Sequence, residues 1–357
     1  MFRRQVLAGL AASVVPVAAP ALKDRAAARG LLFGSMVEAS RLASDPAFAT
    51  AIVRECAIVV PGVEAKWAAT EAAEGHFTFE RLNAVARFAE THGLALRLHN
   101  LVWGMWNPPW VARAQDEGRG EAIMTRHIAA VAGHMRGRAL AWDVVNEPAD
   151  PRWPSGPEGL CRIGWWRAMG PAYVERAFHA AHEADPRALL FVNDDWLEYA
   201  QCAEKRRIYL RLLEGWIARG VPVHGFGIEA HLRADIAFDA GPYRQFLKAL
   251  GDLGLIIHIT ELDVQDRALP ADSAVRDQIV ADMAGRFLDT ALDEHAVRAV
   301  LCWGLSDRAG DLDRDPATRR LDGLPSRGLP LDTLLRRKPL YDAIGRALDH
   351  APDRRGR

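Results

Sequence analysis

The sequence predicts an α/β fold, a single (β/α)8 barrel of the TIM type, on three observations. Short apolar runs alternate with longer segments of helical periodicity. Eight such runs are spread over roughly 320 residues, the size of one such barrel with modest insertions. No glycine-rich phosphate loop follows the first run, which sets aside the main competitor, a doubly wound open sheet.

The runs, in order, are LLFGSMV (31–37), CAIVV (56–60), LALRLHNLVW (94–103), ALAWDVV (139–145), ALLFVND (188–194), VHGFGIEA (223–230), LIIHITELDV (255–264) and AVLCWGL (299–305). Between them lie segments such as FERLNAVARFAETHG (79–93), EAIMTRHIAAVAGHMRG (121–137) and PAYVERAFHAAHEADP (171–186), with apolar residues at three- and four-residue steps. Each closes on Gly or Asp-Pro, as helices do. The chain shows no repeat, low-complexity tract or linker, so residues 22–349 form one domain, and 350–357 are expected to be a disordered tail.

Half of the 357 residues are hydrophobic, ample for a large core, and the formal net charge of −1 gives no reason to expect nucleic acid or a membrane as partner. A monomer is the expectation. Residues 1–21, MFRRQVLAGLAASVVPVAAPA, have a basic start, an apolar stretch and a small-residue end. They read as an export signal, with Arg3-Arg4 suggesting the twin-arginine route, so the protein is expected in the periplasm or outside the cell. Four cysteines (Cys56, Cys161, Cys202, Cys302) match no metal spacing. Cys56 and Cys302 lie in apolar runs and are read as small buried hydrophobes; a disulfide is open, its pairing unspecified.

In a barrel of this kind, chemistry collects at the carboxyl ends of the strands. The groups at those ends are Lys66, His99, Asn146-Glu147, Asn193-Asp194, His231, Glu261 with Asp263, and Trp303 with Asp307. Two runs each end on a glutamate, WDVVNEP at Glu147 and ITELDV at Glu261. Two carboxyl groups are the minimum equipment for splitting a glycosidic bond.

Several stretches occur in one order from about residue 30 to 348: EAKW (64–67), LRLHNLVWGMWNPPWV (96–111), WDVVNEP (142–148), FVNDDW (191–196), HGFGIEAHL (224–232), ITELDV (259–264), CWGLSD (302–307) and KPLYDAI (338–344). Together they resemble glycoside hydrolase family 10, the retaining endo-1,4-β-xylanases. The resemblance implies Glu147 as general acid/base and Glu261 as nucleophile, with no cofactor and no metal. It also implies that Asn146 bonds the 2-hydroxyl of the reacting sugar and that Lys66 and His99 hold its 3-hydroxyl side. Trp103 and Trp303 would wall the ring, and His231 would line the site with Asp263 supporting Glu261. The substrate would be xylan or a related β-linked polysaccharide.

Departures from the family pattern concentrate on substrate contacts. Gly62-Val63 stand where the family has Glu-Asn, Gly104 replaces a histidine and Trp106 a glutamine, and Asp311 replaces a tryptophan. Glu229 replaces a glutamine, an added carboxylate whose charge is expected to resist ionisation of Glu147. These changes favour a decorated glycan over plain xylan. Two other readings stand beside the leading one. A carbohydrate-binding barrel without turnover would not need both glutamates. A metal-dependent hydrolase would use His99, His231, Glu261 and Asp263 as ligands, but GSMVEAS at the first run offers no histidine.

Overall fold

The computed structural model describes residues 20–149 and 153–355. Among the described residues there are nine parallel strands: β1 (Leu32–Val37), β2 (Ile58–Pro61), β3 (Ala95–Val102), β4 (Ala141–Asn146), β5 (Leu189–Asp194), β6 (Gly225–Ile228), β7 (His231–Arg233), β8 (Ile256–Gln265) and β9 (Val297–Cys302). Each of β1–β5 pairs with the next, β5 pairs with β6, β6 with β8, β8 with β9, and β9 with β1. That ring is the expected eight-stranded barrel. The short β7 is an outlying pair on β8, with His231 opposite Asp263.

Every predicted run contains a barrel strand, with boundaries differing by three residues or fewer. The three quoted helical segments become helices Glu80–Thr91, Gly120–His134 and Tyr173–Ala184. Strand residues alternate between two cores. Outward side chains such as Val59, Leu98, Leu190 and Ile257 join the large cluster beneath the helices. Inward ones from β1, β2 and β9, namely Met36, Ile58, Val60, Ala299 and Leu301, form a separate plug capped by Trp303. The other half of the interior is polar. Arg97 is fully buried, bonded to Asp143 and to Nδ1 of His258 (2.9 Å), and lies 4.6 Å above the Phe191 ring. Burial and the Arg97 charge push His258 well below its usual range, so it accepts that bond as neutral imidazole.

The tail is a correction to the sequence reading. The last helix runs Pro339–His350, and residues 351–355 dock rather than trail away. Arg354 is buried, donating to the carbonyls of Val297 (2.8 Å), Leu292 (2.6 Å) and Glu294 (2.8 Å). Its guanidinium thereby ties the end of the helix Ser273–Leu292 and its connection to β9 onto the last segment of the chain. The expected export signal lies outside the described residues apart from Pro20 and Ala21; the first helix starts at Leu22. All four cysteines are free and buried. No helix among the described residues is long and apolar enough to cross a membrane.

Candidate active site

Glu147 directly follows β4, and its φ of 47° lies in the left-handed region that residues with a Cβ seldom adopt. Its N–H donates to the carbonyl of Asn193 (2.9 Å), fixing the turn at the rim. Glu261 lies within β8, where its N–H donates to the carbonyl of Glu229 (2.9 Å). Both glutamates are buried to within a few per cent.

One side chain ties this rim together, and it is Asn193. Its Nδ2 lies 2.9 Å from Asn146 Oδ1, 2.9 Å from Glu261 Oε1 and 3.0 Å from Glu229 Oε1, while Thr260 donates to its Oδ1 at 2.8 Å. Asn146 passes the chain on, donating to Glu147 Oε1 at 3.3 Å. Gly227 makes this possible, because a Cβ there would lie 2.1 Å from Asn193 Oδ1. The sequence places Asn193 at a strand end but gives it no role. The signal available was register: β4 and β5 pair Asn146 with Asn193, so two strand-end amides must meet.

Around Glu261 stand two histidines. His231 Nε2 is 3.4 Å from Glu261 Oε2, and its Nδ1 is 3.0 Å from Asp263. His99 Nδ1 is 3.7 Å from Glu261 and 3.1 Å from Asp143. Burial opposes charge on Glu261, but the electrostatic effect of His99, the bond from His231 and the Lys66 ammonium outweigh it, lowering the carboxyl to about 2. Burial likewise opposes charge on His231; Asp263 and Glu261 overcome it and raise the imidazole well above its usual range. Lys66 is buried with its Nζ 5.1, 4.8 and 5.8 Å from the ring centres of Trp103, Trp106 and Trp303. Burial lowers its pKa although four carboxyl groups, led by Glu261, pull the other way. Trp303 donates to Asp311 (3.1 Å) and meets the His99 ring edge-on at 5.4 Å.

All nine singled-out residues thus lie on one rim: Glu147, Glu261, Lys66, His99, Trp103, Asn146, His231, Trp303 and Asp263. Asp307 stands apart, paired with Lys338 at 2.8 Å as a structural strut.

Glu229 differs from the expectation of an added negative charge. Burial, then the charges of Glu261, Glu147 and Asp195, push its pKa well above the carboxylate range, with His231 opposing. Hydrogen counting agrees. The two hydrogens on Asn193 Nδ2 are shared among three acceptors, so a charge on Glu229 would be poorly compensated by hydrogen bonds. The neutral acid thereby resembles the glutamine amide it replaces. Glu229, His231 and Glu261 also bring ligand-type atoms within 4.8 Å of one another. A metal there would have to displace the proton that Asp263 and Glu261 favour on His231.

A closed parallel barrel with two carboxyl groups at one rim, one ionised, within a cluster of sugar-binding residue types defines a glycoside hydrolase. The model of glycosyl hydrolase family 10 matches residues 21–347. The chain belongs to that family, whose members are retaining glycosidases. It is 31% identical over 284 residues to endo-1,4-beta-xylanase A of Caldicellulosiruptor sp. (strain Rt8B.4), covering 75% of this chain but only 40% of that protein. It is 32% identical over 329 residues to endo-1,4-beta-xylanase A of Phanerodontia chrysosporium, covering 90% and 76%. Among solved structures, xylanase 10B from Thermotoga petrophila RKU-1 in complex with xylobiose superposes with a TM-score of 0.83 at 26% identity, covering 93% of this chain and 98% of that one. Xylanase 10B from Thermotoga maritima gives 0.82 at 26%, covering 92% and 98%.

Proposed function

We propose that this family member is an exported endo-acting hydrolase that cleaves β-1,4 bonds of xylan or a closely related polysaccharide with retention of configuration. The observation that carries the reading is the split character of the rim. Glu261 is held ionised by His231, His99 and Lys66, while Glu147 is linked to it through Asn146 and Asn193. In this reading Glu261 attacks the anomeric carbon as Glu147 gives its proton to the departing oxygen, breaking the glycosidic bond and forming a glycosyl ester. Glu147, now a carboxylate, takes a proton from water, which attacks the same carbon and frees Glu261. Asn146 bonds the sugar 2-hydroxyl, Lys66 and His99 its 3-hydroxyl side, and Trp103 and Trp303 exclude water from the ring faces. His231 and Asp263 hold Glu261 in place.

The test is product stereochemistry. Wild type should release β-anomers first from xylo-oligosaccharides, and Glu147→Ala and Glu261→Ala should each lose at least about 10²-fold in turnover. Azide should rescue the two variants with opposite anomeric products, and the same anomer from both would overturn the assignment. Export is supported by the composition of residues 1–21 and is tested by fractionating cells that express the full chain. A second reading, hydrolysis of a decorated exopolysaccharide, is favoured by Gly62, Val63 and Asp311 at the expected glycone side. Asp311 spends its carboxylate on Trp303 and Arg314.

A further inference from the structure

We propose that the cavity between the loop after β3 and the segment that follows β4 is a side subsite for a single sugar branch on the polysaccharide. It rests on the reading of the rim as a β-glycan cleft and names the kind of glycan that cleft takes.

The cavity holds about 290 Å³, at the small end of ligand sites, which suits one sugar ring and not a second chain. Its walls collect exposed apolar surface. Met105, Trp106 and Trp153 are 38%, 51% and 41% exposed, and all three line it. Indoles left open to water at such a level mark a binding surface, and their flat faces match the C–H face of a sugar ring. Trp106 is turned out by a left-handed φ of 56°, and its ring also lies 4.8 Å from Lys66 Nζ. The same indole therefore borders the cleft on one side and the cavity on the other, so a branch on a sugar seated beside Lys66 reaches it directly.

The floor is rigid and the polar groups are uncommitted. Trp165 donates to the carbonyl of Trp103 (2.8 Å) and stacks on Trp67 at 4.9 Å, which stacks in turn on His127 at 3.7 Å. Position 104 brings no side chain into the space; a Cβ there would lie 3.1 Å from Ile163. Gln115 makes no side-chain hydrogen bond to another described residue, and Arg167 commits one N–H, to the Arg162 carbonyl at 3.2 Å. An amide and a guanidinium with spare hydrogen-bonding capacity suit sugar hydroxyls, and Arg167 adds a partner for a uronic carboxylate.

The experiment compares kcat/KM on a linear xylo-oligosaccharide with the same backbone bearing one arabinofuranosyl or one glucuronosyl branch. The enzymes are wild type, Trp153→Ala and Ala112→Phe, the last filling the cavity from its helix wall. Wild type should prefer a branched chain, and each variant should cut the branched-to-linear ratio by about tenfold, as removal or blocking of an aromatic anchor does. Ala112→Phe should leave the linear rate unchanged. The arm that responds identifies the branch as neutral or acidic. A ratio equal to wild type in both variants, with linear turnover intact, overturns the side subsite alone. No turnover of either the linear or the branched chain by wild type overturns the cleft reading beneath it.

Discussion

Replacing Glu229 with glutamine removes a titratable proton while keeping shape, and the consequence for stability can be worked out with its sign. The folded carboxyl is raised above its unfolded value near 4.5, chiefly by burial and then by Glu261, Glu147 and Asp195. A raised carboxyl favours the folded state in its protonated form. That contribution is complete below the unfolded pKa and disappears as pH rises through the folded one. Glutamine carries no such dependence. The stability of Glu229→Gln minus wild type should therefore climb by about 1.4 kcal/mol for each pH unit above roughly 4.5, and level off once the folded Glu229 ionises. The assay is urea unfolding at half-unit steps from pH 4 to 9, with initial rates on xylan at each pH. The variant should stay active at mildly acid pH, since the neutral acid and the amide fill one socket. A stability difference that stays flat above pH 4.5 refutes the protonated Glu229 and returns it to the role of an added charge.

Three further outcomes follow from single contacts. Asp263→Asn takes the negative charge from His231 Nδ1, so the imidazole loses its raised pKa and Glu261 loses part of what lowers it; the acid limb of kcat/KM should move to higher pH, and an unmoved limb counts against the pairing. Asn193→Ala removes the donor shared by Asn146, Glu229 and Glu261, and should cost about 10–100-fold in kcat with KM less affected; equal losses in both parameters would reduce Asn193 to a binding group. Arg354→Ala removes a donor from three carbonyls, of which that of Glu294 keeps the Val297 N–H, and should cost about 2 kcal/mol or more in urea unfolding, with kcat unchanged in the folded fraction; a change under about 0.5 kcal/mol would mean the tail is dispensable.

The barrel was legible because strand runs buried on both faces read as apolar blocks, and the helical segments between them kept a period near 3.6. The rim was legible for a related reason. A carboxylate or amide that ends an apolar block has no structural purpose there, so Glu147, Asn146 and Glu261 stood out. What composition concealed were groups whose meaning depends on partners from distant strands. Asn193 is one asparagine until register sets it against Asn146 and the Gly227 gap admits its amide. Glu229 counted as a charge because formal charge ignores burial and two neighbouring carboxylates. The tail reads as polar and loose, since nothing in DRRGR announces that Arg354 reaches back to carbonyls near residues 292–297. Contacts across such separations set the chemistry of a group more than its own identity does.

Reaction and specificity are carried by different parts of this rim. Glu261, Asn146, Asn193 and His99 lie within barrel strands and Glu147 immediately follows one, each fixed by ladder bonds or by a second polar partner. Such groups stay within the small tolerance that acid–base and nucleophilic steps demand. The departures from the family pattern sit instead mostly on the connecting segments: Gly62 and Val63 after β2, Gly104 and Trp106 after β3, Asp311 after β9. Segments of that kind can change without disturbing a strand ladder. Gly62 lies against Met36, with space for a Cβ only 2.8 Å from its sulfur, and Asp311 is spent on Trp303 and Arg314. Polar groups that would grip a plain chain are thus missing from one side, while indole surface is gained beside Lys66. The strands hold the groups of the bond-breaking step, and the loop after β3 carries the indole surface proposed above to take a branch on the chain.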